Sequence, residues 1–175
     1  MSKSVLLVIA KDQFRDEEYF EPKDILENAG FKVVTASSHT GPCKGKLGED
    51  ALAEISVKDA ASKIFDAVVF CGGGGAAQYI DDPDANELIN HALKTSEILA
   101  AICLAPSILA HAGVLKGIEA TAWEDQEQDL IEHGAIWNHQ PVIISKHISG
   151  TTIITGNGPM SASEFGEALK DNLLK

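Results

Sequence analysis

A chain of 175 residues, 45% hydrophobic and 23% charged, has the length for one domain with a sizeable core and the composition of an ordinary globule rather than a disordered or fibrous chain. Its formal net charge of -12 argues against nucleic acid as a partner, because that surface needs a lysine and arginine stripe the sequence lacks. Three cysteines, an odd number without motif spacing, point to a reducing, cytoplasmic setting rather than a disulfide framework.

The chain opens on an aliphatic run, Ser4–Ala10, too short to span a membrane and read as the first strand. Pro22–Gly30 is an amphipathic helix stopped by glycine, and Phe31–Ser37 is the second strand. Gly41–Ile55 is glycine-rich and weakly alternating, as expected of a hairpin off the main sheet. Ser56-Val57-Lys58-Asp59 is an N-cap pattern that introduces a brief helical turn. The strand Ala67–Cys71 runs into four glycines, Gly72–Gly75. Asp82-Pro83-Asp84 then caps a helix that extends to about Thr95.

Ile98–Ile102 delivers Cys103 into Leu104–Gly113, a helix closed by Gly113. An acidic helix, Glu124–His133, stops at Gly134. Pro141–Ser145 and Thr151–Thr155 form a hairpin around Ser149-Gly150, and Ser161–Leu174 is the last helix. Aliphatic strands interleaved with helices specify an α/β, doubly wound three-layer sandwich with a mostly parallel sheet, occupying 1–175 as one domain.

In such a sheet ligands bind at the carboxyl ends of strands, which groups the residues after Ala10, the glycines after Cys71, and Cys103 at one cleft. A cysteine on a strand-to-helix turn meets backbone N–H groups without helical partners, and these favour its thiolate. The N–H groups of Gly73 and Leu104 are the pair that would hold an oxyanion beside it.

The motifs Ala100-Ala101-Ile102-Cys103 with Pro106, Val68-Val69-Phe70-Cys71-Gly72-Gly73, Glu18-x-x-x-Pro22 and Thr155-Gly156-Asn157-Gly158-Pro159 together resemble the ThiJ/PfpI superfamily along almost the whole chain. The branch they most resemble contains the Parkinson-associated protein deglycase, with a flavodoxin-like, glutamine-amidotransferase-like fold. The resemblance implies that Cys103 is nucleophile and oxidation site, that Glu18 hydrogen-bonds to it, and that Gly73 and Leu104 supply oxyanion amides. It also implies a homodimer, and chemistry that needs no metal or organic cofactor. Glu17 is the fallback for Glu18.

A free cysteine is about 3% thiolate at pH 7, and a pKa lower by about three units would ionise it almost fully, worth about 4 kcal/mol. A helix end supplies about 0.3–1 kcal/mol, up to about 2 when partly buried, so a further donor is needed. Glu18 fills that role only if it keeps its proton. The expected substrate is a small electrophile such as a dicarbonyl, converted to a hydroxy acid in glyoxalase or deglycase fashion. The alternative is a redox sensor in which oxidation of Cys103 is the signal, with Cys71 as a possible resolving thiol. A cysteine peptidase is disfavoured because Leu104 stands where the peptidase-like branch has histidine.

The six histidines show no metal-ligand spacing, and only His139 is a candidate for reaching the cleft. Trp123 and Trp137 are read as core or interface anchors, with Trp123 or Glu124 the candidates for a place at the rim.

Overall fold

A computed structural model describes residues 2–175. In chain order the elements are β1 (Ser4–Val8), β2 (Asp12–Phe14), α1 (Asp16–Asn28), β3 (Lys32–Ser37), β4 (Gly41–Gly45), β5 (Asp50–Ala53), β6 (Ile55–Ser56), α2 (Val57–Ala60) and β7 (Ala67–Phe70). A 3-10 turn (Gly74–Tyr79) leads to α3 (Pro83–Thr95), β8 (Ile98–Ile102), α4 (Pro106–His111), β9 (Glu119–Ala120), α5 (Glu127–Glu132), β10 (Ile136–Trp137), β11 (Val142–Lys146), β12 (Thr152–Gly156) and α6 (Ala162–Leu173).

The main sheet has seven strands in the order β11-β12-β8-β7-β1-β3-β6, parallel except for β11, which pairs antiparallel with β12. The mixed α/β, mostly parallel sheet expected from the aliphatic runs is therefore present. Its central strands are apolar throughout because both faces are covered: Leu6 and Val8 of β1 point into one core, and Val5 and Leu7 into the other. The first core lies under α2, α3, α4 and α5, the second under α1 and α6. Each large aliphatic side chain withdrawn from water contributes about 1.5–3 kcal/mol, so the strands are held chiefly by these two layers.

The expected hairpin off the sheet is β4–β5, and β2 joins it as a third strand. Asp16, 3% exposed, ties this small sheet to the start of α1 by accepting from Leu47 N–H at 2.8 Å and Glu49 N–H at 3.1 Å. Ser56 and Asp82 cap their helices as read from sequence, accepting from Asp59 N–H and Ala85 N–H.

One boundary moves. Helix α1 begins at Asp16, with Pro22 inside it rather than at its first turn. Pro22 has no N–H to donate to the carbonyl of Glu18, and the helix accepts that loss because Pro22 is buried against Gly166 of α6. Glu18 is thereby placed in the first turn of a helix. Among the described residues no helix is long and apolar enough to cross a membrane.

Candidate active site

Three neighbouring strands, β8, β7 and β1, bring the site together at their carboxyl ends. Beyond β8 the chain turns at Cys103, whose φ of 65° lies in the left-handed region that costs a side-chain-bearing residue about 1–3 kcal/mol. The turn is clamped on both sides. Cys103 N–H donates to Gly156 O at 2.9 Å, and Trp123 N–H donates to Cys103 O at 2.8 Å.

Beyond β7, Gly72 and Gly73 pass close to the sulfur. A Cβ at Gly72 would overlap Glu18 Oε2 and lie 2.6 Å from Cys103 Cβ, so the carboxyl and the cysteine flank the same Cα. Gly72 is fixed from behind by Arg15 N–H, which donates to its carbonyl at 3.0 Å. The N–H groups of Gly73 and Leu104 lie close enough to the sulfur to favour its charged form. The structure thus brings Cys103, Glu18, Gly73 and Leu104 into one place, although they come from three separate segments.

Glu18 has no solvent-exposed surface, and neither carboxyl oxygen has a hydrogen-bond partner of full geometry among the described residues. Burial pushes its carboxyl up to about 7, against smaller opposing pulls from Cys103, the Arg15 charge and the Gly72 N–H. Burial, and then the charge and hydrogen bonding of an ionised Glu18, push the Cys103 thiol up to about 12. A carboxylate against the sulfur opposes a second anion, so the two groups titrate as a pair that gains its first negative charge near neutral pH.

Glu17, the fallback, does not meet the sulfur. Its carboxylate is held by Arg15 through Nε at 2.8 Å and Nη2 at 3.0 Å, and that hydrogen bond holds it below the usual carboxylate range.

The sulfur opens on a cleft of about 290 Å³ lined by Arg15, Lys46, Gly73, Leu104, Trp123 and Gln126. Trp123 is 46% exposed at this cleft instead of anchoring the core, because its ring lies over Gly158, where a Cβ would come 2.9 Å from the indole. Arg15, Lys46 and Gln126 were not singled out from sequence. Arg15 precedes the glutamate pair and carried a usable signal, whereas Lys46 and Gln126 arrive from the hairpin and from the turn after β9, which only tertiary packing reveals.

His139 lies in a neighbouring depression with Trp123, Glu124 and Met160, where it accepts from Trp137 Nε1 at 3.2 Å, and it does not line the Cys103 cleft. Cys71 is 1% exposed, and burial pushes its thiol well above the usual range, so the structure gives no support to a resolving role. Cys43 is likewise buried. Cys103 is the one cysteine of the three that is partly open to solvent.

The DJ-1/PfpI family model matches residues 3–171. The glutathione-independent glyoxalase DJR-1.2 of Caenorhabditis elegans is 27% identical, over 98% of this chain and 89% of its own. The deglycase PYRAB04690 of Pyrococcus abyssi is 30% identical, over 79% of this chain and 84% of its own. Among solved structures, a ThiJ/PfpI domain protein from Brachyspira murdochii superimposes with a TM-score of 0.88 at 32% identity, covering 99% of this chain and 97% of the other.

Proposed function

This chain belongs to the DJ-1/PfpI family, and from that premise we propose that it is a cysteine-dependent enzyme that converts small reactive dicarbonyls to hydroxy acids, with Cys103 as nucleophile and Glu18 as the group that moves protons. One observation carries the reading: a buried carboxyl with no other formed partner abuts the sulfur where the N–H groups of Gly73 and Leu104 also converge. An ionised Glu18 has one backbone N–H turned to it, that of Gly72, while an ionised sulfur has two, those of Gly73 and Leu104. The shared charge therefore belongs on Cys103 and the shared proton on Glu18.

The chemistry follows from that assignment. The thiolate adds to the aldehyde carbon of a 2-oxoaldehyde such as methylglyoxal, forming a C–S bond and an alkoxide that Gly73 and Leu104 stabilise. Glu18 gives its proton to the alkoxide, and the product is a hemithioacetal. The Glu18 carboxylate then takes the proton from the former aldehyde carbon, the hydroxyl proton passes to the neighbouring oxygen of the resulting enediolate, and Glu18 returns its proton to the adjacent carbon, which converts the hemithioacetal to a hydroxy thioester. Water hydrolyses the thioester, releasing the hydroxy acid and restoring the thiol. A carboxyl that titrates near neutrality suits both halves of this proton shuttle.

Peptide hydrolysis fits less well, because Leu104, next to the nucleophile, cannot deliver a proton to a leaving amine. A second reading, reversible oxidation of Cys103 as a signal, is favoured by its being the partly exposed thiol of the three. The deciding experiment incubates reduced protein with methylglyoxal and follows lactate. Turnover that is lost in Cys103→Ser and Glu18→Gln supports the enzyme, and absence of lactate with stoichiometric oxidation of Cys103 by peroxide supports the sensor.

A further inference from the structure

On the side of the molecule where α4 packs on α5, two histidines and an aspartate that lie far from the Cys103 chemistry meet. His111 is the last residue of α4, Asp129 lies within α5, and His133 follows α5 directly. The four-residue spacing of Asp129 and His133 puts both on one helix face, and packing brings His111 onto it. His111 Nε2 is 3.0 Å from Asp129 Oδ1, and His133 Nδ1 is 3.3 Å from the same oxygen. One ligand atom from each residue lies within 4.8 Å of the others, the one such group among the described residues. Behind His111, its other nitrogen, Nδ1, lies 3.1 Å from both carboxylate oxygens of Asp81.

We propose that His111, Asp129 and His133 form a binding site for a single divalent transition-metal ion of the zinc class, with Asp81 as the carboxylate that orients His111. Two imidazoles and a carboxylate are a donor set for zinc, and with ligand atoms within 4.8 Å of one another they lie in reach of the edge of about 3.3–3.6 Å that a tetrahedral ion with bonds of about 2.0–2.2 Å requires. The Asp81 contact fits the arrangement in which a metal-bound histidine gives its second N–H to a carboxylate, which fixes the ring and its tautomer. All three ligands are half-buried, leaving a side open for water as a fourth ligand.

Binding requires one local movement. The two imidazole rings are stacked with centroids 4.0 Å apart and planes 27° from parallel, and His133 Nδ1 is 2.8 Å from the Asp129 carbonyl. His133 turns about its side-chain bonds and exchanges that hydrogen bond for a bond to the ion, while His111 stays in place against Asp81. The ion would then tie α4, the helix that follows the Cys103 turn, to α5.

The test is zinc titration calorimetry on the full chain after chelator treatment, in a Cys103→Ser background so that the reactive thiol cannot supply a competing ligand. A cobalt(II) spectrum identifies the donor atoms. The expected result is one ion per chain, a cobalt spectrum without a sulfur charge-transfer band, and a zinc-dependent rise in melting temperature. His133→Gln should lose at least tenfold in affinity, and Asp81→Asn, an exposed change that leaves the ligands intact, about 10–100-fold. Circular dichroism of each variant confirms that it is folded before titration. No binding at millimolar zinc, or binding that is unchanged in both His133→Gln and Asp81→Asn, overturns the proposal.

Discussion

Replacing Glu18 by glutamine should change how stability depends on pH, by an amount fixed by the buried carboxyl. Unfolded chains give up this proton near the ordinary value of 4.5, whereas burial holds it in the folded protein until about 7. Between those values the native state binds the extra proton, so its stability falls as pH rises, and it changes no further above the folded value. At about 1.4 kcal/mol per unit the loss comes to about 3 kcal/mol, whichever of Glu18 and Cys103 carries the resulting charge. Glutamine has no proton to lose. Its amide costs the same at every pH, so only the slope is diagnostic. Urea denaturation of wild type and Glu18→Gln from pH 4.5 to 7.5 should show wild type losing about 3 kcal/mol relative to the variant across that window. A wild-type minus variant difference that stays constant within the extrapolation error would refute the reasoning.

Gly72→Ala forces a methyl between Glu18 and Cys103, 2.6 Å from Cys103 Cβ and 2.7 Å from the Ile102 carbonyl. It should lower stability by about 1–3 kcal/mol in chemical denaturation and abolish thiol reactivity toward iodoacetamide. At Cys103 itself, with φ at 65°, Cys103→Gly should be more stable than Cys103→Ala by about 1 kcal/mol, measured by thermal melts of the two inactive variants. Trp123→Ala removes the exposed wall of the cleft and should raise KM for methylglyoxal several-fold while kcat changes less, and an unchanged KM would show that the indole does not touch substrate.

The strands were legible because β1, β7 and β8 are apolar on both faces, and a run such as Ile98–Ile102 has few other ways to be satisfied. The cysteine turn was legible for the same reason, since a strand that ends at Ile102 and a proline at 106 leave little room between them. Helix α1 extends before the Pro22 boundary read from sequence because proline disfavours a helix interior, and only the contact with α6 shows why it is tolerated there. The strands β2, β9 and β10 are two or three residues long and exist through partners distant in sequence, so no local periodicity marks them. Burial decided what sequence left open about charge: Glu17 and Glu18 are neighbours of the same type, yet one is paired with Arg15 at the surface and the other is sealed against the sulfur. The meeting of His111 with Asp129 and His133 is a product of α4 packing on α5, invisible in spacing along the chain.

The placement of the anion on sulfur is tested most directly by ultraviolet thiolate absorbance across pH in wild type, Glu18→Gln and Glu18→Leu, with Cys103→Ser as the blank. Wild type and glutamine should both form the thiolate by about neutral pH, and leucine, which cannot donate, should raise the apparent pKa by about 1–2 units, the worth of a charge-assisted hydrogen bond. If glutamine instead lowers the apparent thiol pKa by about two units or more, the carboxylate was the charged partner and the proposed thiolate is wrong.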